Sequence, residues 1–122
     1  MGKRVLVIED EANISEAIRF ILSRDGWDVQ THGDGADAAE VVANHPPDVL
    51  ILDLMLPGRS GLEILQSLRA RPQTQALPVL MLTAKGQSVD REAAERYGAT
   101  RFMTKPFANA DLVATVRAMG AA

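Results

Sequence analysis

The chain has 122 residues, 47% of them hydrophobic, which is enough apolar material for one continuous core, and residues 1–122 read as a single domain. Its formal net charge of −3 leaves no reservoir of positive charge for gripping a phosphate backbone, so no direct nucleic-acid partner is expected. There is no cysteine for a disulfide framework or thiolate metal site, and no segment is apolar over a membrane-spanning length; a cytoplasmic location without a membrane partner is the expectation.

In chain order, Val5-Leu6-Val7-Ile8 is a continuous run of branched apolar residues, the pattern of a parallel strand covered on both faces. It ends in Glu9-Asp10-Glu11. Ile14, Ala17, Ile18, Ile21 and Leu22 then recur at helical spacing, and Gly26 marks the stop. Trp27 is expected to pack beneath that helix, while Glu16, Arg19 and Arg24 form its solvated stripe. The run from Asp28 to His32 is more polar and suits a strand nearer a sheet edge. A second helix carries Ala38, Ala39, Val41 and Val42 and is ended by Pro46-Pro47.

Val49-Leu50-Ile51-Leu52 is a second buried-strand run, and it ends at Asp53. Leu62, Ile64, Leu65 and Leu68 mark a third helix, closed before Pro72. Val79-Leu80-Met81-Leu82 follows as a strand ending in Thr83-Ala84. Ala93, Ala94 and Tyr97 with Gly98 indicate a fourth helix with a thin apolar face. The last strand, Arg101 to Thr104, is edge-like and runs into Lys105-Pro106. Leu112, Val113, Val116 and Met119 mark the fifth helix.

Alternating strands and helices predict an α/β domain, a (βα)5 doubly wound parallel five-stranded sheet with helices on both faces. The order 2-1-3-4-5 is matched to a known arrangement of such sheets rather than read from the residues, and in it ligands bind beyond the carboxyl ends of the strands. Acidic residues from the first and third strand ends therefore converge.

Taken alone, Glu9 to Glu11 would be helix capping, Thr83 a turn residue and Lys105 a solvated cation. Asp53 resists such a reading, because it follows four apolar strand residues and precedes Leu54-Met55-Leu56. A hard divalent cation such as Mg²⁺ would neutralise the carboxylates, and a hydroxyl and an ammonium on the same sheet edge suit phosphoryl transfer.

The segments Val7-Ile8-Glu9-Asp10-Glu11, Leu52-Asp53-Leu54-Met55-Leu56-Pro57-Gly58, Met81-Leu82-Thr83-Ala84 and Thr104-Lys105-Pro106-Phe107 resemble the motifs of bacterial response-regulator receiver domains, in order and over essentially the whole chain. The resemblance implies a flavodoxin-like fold and a phosphorelay function. Asp53 would accept a phosphoryl group from a sensor histidine kinase or phosphotransfer protein. Mg²⁺ would be held by Glu9 (through water), Asp10, Asp53 and the Met55 carbonyl. Lys105, Thr83 and the backbone amide after Asp53 would steady the phosphoryl oxygens, Phe102 would be the switch aromatic, and Lys105-Pro106 would be cis. His32 and His45 fall outside every motif. A receiver catalyses its own phosphorylation without being a turnover enzyme.

Three rivals fit less well. A flavin binder would want a glycine- or hydroxyl-rich loop after the first strand, a haloacid-dehalogenase-type phosphatase would want an acid where Met55 stands, and a degenerate receiver would have lost site residues that are intact here.

The output is less determined. The motifs come nearest to receivers of winged-helix transcription regulators, and a receiver fragment of such a longer DNA-binding protein is the alternative reading. Arg91 and Asp111 fit the dimer-forming surface of that class, yet Thr100-Arg101 replaces its acidic pair and Thr115 its arginine. A monomer that switches an unidentified output protein through helix 4, strand 5 and helix 5 is therefore expected, with no output domain in the 122 residues.

Overall fold

In the computed structural model, which describes residues 3–56, 58–83 and 88–120 (for 88–90 the backbone alone), five strands alternate with five helices. They are β1 (Arg4–Ile8), α1 (Ala12–Arg24), β2 (Asp28–His32), α2 (Ala38–Asn44), β3 (Val49–Asp53), α3 (Gly61–Arg69), β4 (Val79–Thr83), α4 (Ser88–Arg96), β5 (Arg101–Thr104) and α5 (Asn109–Gly120). Of the residues singled out in the motifs, Pro57 and Ala84 lie outside the described residues.

All strand pairs are parallel and the order is β2-β1-β3-β4-β5, as expected. The three unbroken apolar runs became the central strands. In β3 and β4 every residue is buried, whereas in β2 only Val29 is and β5 is at best half-covered.

Strand alternation sorts the core into two layers. Leu6, Ile8, Leu50, Leu52, Val79 and Met81 share one face with Ala38 and Val42 of α2, Ile64, Leu65 and Leu68 of α3, and Ala94 of α4. Val5, Val7, Val49, Ile51, Leu80 and Leu82 share the other with Ile18 and Leu22 of α1 and Leu112, Val116 and Met119 of α5. Burying one large aliphatic side chain contributes about 1.5–3 kcal/mol, so neither layer is dispensable.

One expectation changes and another is extended. Tyr97 does not join the apolar face of α4; it lies just past the helix and is 36% exposed, leaving Ala94 as the buried residue among the described side chains there. Trp27 packs against the core on the α1 side as foreseen, but its ring also abuts the last turn of α5, where a Cβ on Gly120 would collide with it. Lys3 Nζ donates to the Gly120 carbonyl at the same corner.

Local chemistry sets the helix ends. Ser60 Oγ accepts from Glu63 N at 3.3 Å and Glu63 Oε1 accepts from Ser60 N at 3.4 Å, a capping box that fixes the first turn of α3. At its other end, Arg69 donates to the carbonyls of Gly98 (2.9 Å) and Thr74 (3.1 Å), tying α3 to the end of α4.

Candidate phosphoacceptor and metal site

The register places the acids side by side. Ile8 pairs with Leu52, so Glu9 and Asp53 are the next residues on adjacent strands at the carboxyl edge of the sheet. Glu9 and Asp53 are each 3% exposed, while Asp10 is open to solvent. One carboxylate oxygen from each of Glu9, Asp10 and Asp53 lies within 4.8 Å of the others. Such hard oxygens, two of them nearly dry, fit a divalent cation of the Mg²⁺ or Ca²⁺ kind.

Lys105 enters this group from the end of β5. Its ammonium donates to Glu9 Oε1 at 2.7 Å and stands 3.4 Å from Asp53 Oδ2. The shorter bond is to Glu9, a partner the sequence did not disclose. Glu9 Oε2 accepts from the Glu11 amide at 3.1 Å, so both of its oxygens are engaged.

One charge shared between two buried carboxylates leaves Asp53 underserved. Burial and the neighbouring Glu9 push its carboxyl up to about 6, against the pull of the Met55 amide and Lys105. Burial disfavours the Lys105 ammonium as well, but Glu9 and Asp53 outweigh it and hold that group above its ordinary value.

The backbone amide after Asp53, that of Leu54, donates to Leu82 O at 2.7 Å and continues the β3–β4 ladder. The amide that reaches the carboxylate is that of Met55, whose N donates to Asp53 Oδ1 at 3.2 Å. The Met55 side chain is 71% exposed beside it.

Thr83 closes β4, buried at 3% exposure, and Lys105 N donates to its carbonyl at 2.6 Å. Met81 pairs with Phe102 and Thr83 with Thr104, so Thr83 and Phe102 project to the same sheet face on adjacent strands. Phe102 is half-buried, with the Arg91 guanidinium 5.5 Å from its ring centroid. The Lys105–Pro106 bond is cis. His32 stays outside the acidic group, its Nε2 2.7 Å from Asp37 Oδ1.

The model of the response regulator receiver domain matches residues 5–117. The chain belongs to this family. As a receiver it is a component of two-component signal transduction, in which receivers take part with histidine kinases or phosphotransfer proteins. It is similar in structure to a candidate response regulator from Chloroflexus aurantiacus J-10-fl, at 31% identity and TM-score 0.95 over the whole of both chains. The chemotaxis response regulator CheY4 of Vibrio cholerae is 28% identical over 98% of this receiver and 99% of that chain, with TM-score 0.90. The receiver domain of the sensor histidine kinase PA1611 from Pseudomonas aeruginosa PAO1 is 25% identical over all of both chains, with TM-score 0.92, and carries a magnesium ion coordinated in its active-site cleft. Among the described residues of the present receiver no helix is long and apolar enough to cross a membrane.

Proposed function

We propose that Asp53 accepts a phosphoryl group from a histidine kinase or phosphotransfer protein, in a Mg²⁺-dependent reaction, and that the resulting acyl phosphate changes partner binding at the α4–β5–α5 surface. The observation that carries this reading is the convergence of Glu9, Asp10 and Asp53 within 4.8 Å at a strand edge that Lys105 also reaches.

Glu9, Asp10, Asp53 and the Met55 carbonyl would hold the cation. When bound, Mg²⁺ lets neighbouring carboxylates stay ionised together and offsets the charge on phosphoryl oxygens. A carboxylate oxygen of Asp53 forms the bond to phosphorus as the P–N bond of the donor phosphohistidine breaks; the electron pair stays on the imidazole nitrogen, which takes a proton from water.

Lys105 has three N–H donors, one of them on Glu9. As the Asp53 charge moves outward onto the phosphoryl oxygens, the ammonium follows it, and the Thr83 hydroxyl closes on the same oxygens. Space vacated by Thr83 lies on the face where Phe102 sits, so the ring turns inward and gives up its contact with Arg91. Without a phenolic hydroxyl the readout is by packing alone.

Residues 1–122 act in this reading as one cytoplasmic domain, a switch rather than a turnover enzyme. Acetyl phosphate or beryllofluoride with Mg²⁺ should modify the wild-type protein at Asp53, detected by mass spectrometry of peptides, and should leave Asp53→Asn unmodified. Undiminished labelling of that variant at another residue would remove the proposal.

A further inference from the structure

The first residue of α3 lies against the backbone of the phosphoacceptor. Gly61 N donates to the Leu54 carbonyl at 2.9 Å. A Cβ on Gly61 would penetrate the Asp53 carbonyl oxygen and lie 2.9 Å from Leu54 Cα and 3.0 Å from the Asp53 carbonyl carbon. Every one of these atoms is backbone, so no side chain can rotate aside. The requirement is one of space and not of φ, since Gly61 is not among the glycines with positive φ.

On its other side the same segment is held to β4 by the bond from Leu54 N to Leu82 O at 2.7 Å. The capping box of Ser60 and Glu63 meanwhile keeps the first turn of α3 from fraying away. The Asp53–Leu54 peptide is thus clamped between a strand and a helix end.

We infer that Gly61 is a positioning residue for Asp53, its missing side chain letting α3 seat the Asp53–Leu54 backbone where the carboxylate meets Glu9 and Asp10. A methyl group there displaces the peptide toward β4 or lifts the helix end, and either movement shifts the carboxylate out of the metal-binding cluster. The inference rests on the proposed role of Asp53 for its effect on phosphorylation, and on geometry alone for its effect on cation binding.

The test compares Gly61→Ala with two controls. Gly33→Ala also lies near the acids, but its Cβ meets only the Glu9 carbonyl oxygen, at an ordinary 3.8 Å. Val116→Ala opens a cavity in the opposite layer and reports on loss of stability without local displacement. Mg²⁺ affinity is read by calorimetry, and the Met55 amide, bonded to Asp53 Oδ1, by ¹H–¹⁵N spectra of the metal-free protein.

Gly61→Ala should keep a dispersed spectrum, move the Met55 amide resonance, weaken Mg²⁺ at least about five-fold and slow acetyl-phosphate labelling about ten-fold, while both controls bind Mg²⁺ within about two-fold of wild type. Wild-type Mg²⁺ affinity and an unmoved Met55 resonance in Gly61→Ala would overturn the inference. Equal Mg²⁺ loss in Val116→Ala would also overturn it, by reducing the effect to stability. If the wild type is not labelled at Asp53, the functional reading fails while the Mg²⁺ and amide readouts still decide the role of Gly61. Should Gly61→Ala not fold, Ser60→Ala/Glu63→Ala releases the turn that presses on Asp53; weakened Mg²⁺ binding would support the inference and unchanged binding would overturn it.

Discussion

Lys105 serves two buried carboxylates with a single charge, and the shortfall falls on Asp53. Its raised carboxyl makes the metal-free fold pH-dependent in a defined sense. Well below the unfolded value of 3.8 the group is protonated in both states and costs nothing; as pH climbs from there toward about 6 the unfolded chain releases a proton that the native state retains. Stability therefore falls as pH rises through that window, by up to about 3 kcal/mol in all, at roughly 1.4 kcal/mol for each step of one in pH. In EDTA, Asp53→Asn is expected to unfold at higher urea than wild type at about pH 7.5, with the advantage shrinking toward about pH 4.5; an advantage constant over that range would contradict the assignment. Lys105→Ala strands both acids and should lower stability in EDTA by on the order of 3 kcal/mol, with Mg²⁺ restoring most of the loss in thermal melts. Equal losses with and without Mg²⁺ would count against a shared site. Asp53 stood out in the sequence because an acid directly after four apolar strand residues needs a partner, whereas Glu9, Asp10 and Lys105 did so only jointly, as strand-end residues brought to one sheet edge by the fold and matching the family motifs. The Glu9–Lys105 bond, the engagement of the Leu54 amide by Leu82, and the fit of Gly61 were not legible there, because each depends on how distant strands and helices are set against one another.

At the scale of elements, hydrophobic periodicity located all five helices, since four of them carry two or more residues that must be buried. Helix α4 was the exception in kind. Its sequence is too polar to seat itself through a broad apolar face, and Ala94 is its one fully buried hydrophobic among the described side chains. What holds it is in part Arg69, reaching across from α3 to the Gly98 carbonyl just past the helix. Arg69→Ala is expected to cost about 1–3 kcal/mol in urea unfolding, the usual loss for hydrogen bonds from a charged donor. The loss should be accompanied by faster amide exchange in α4 than in α1; uniform exchange would show that the tie does not control that helix. A loosely packed α4 is also the element best suited to move when Phe102 changes position.

For the whole molecule, alternation of strands and helices specified a parallel sheet with both faces covered, whereas the strand order had to be matched to a known arrangement. The two core layers follow from strand parity once that order is in place. In the proposed reading, the α4–β5–α5 surface lacks the acidic pair through which transcriptional receivers would self-associate. Arg101 is exposed, and the Thr100 hydroxyl accepts from Val79 N at 3.0 Å and so faces its own sheet edge. Gel filtration with Mg²⁺ and beryllofluoride should therefore give the same monomeric elution as the untreated protein; a dimer appearing only with the phosphate mimic would overturn this.

Trp27 is the only tryptophan in the chain, and its ring lies on the last turn of α5 at the end of the sheet opposite Asp53. Nature has thereby placed an intrinsic optical gauge on the far side of the domain. Cation binding at the acids has no direct route to quench that indole, so its emission should stay flat through a Mg²⁺ titration. A change in intensity on adding a phosphodonor would then time the arrival of the switch at α5, with no label attached.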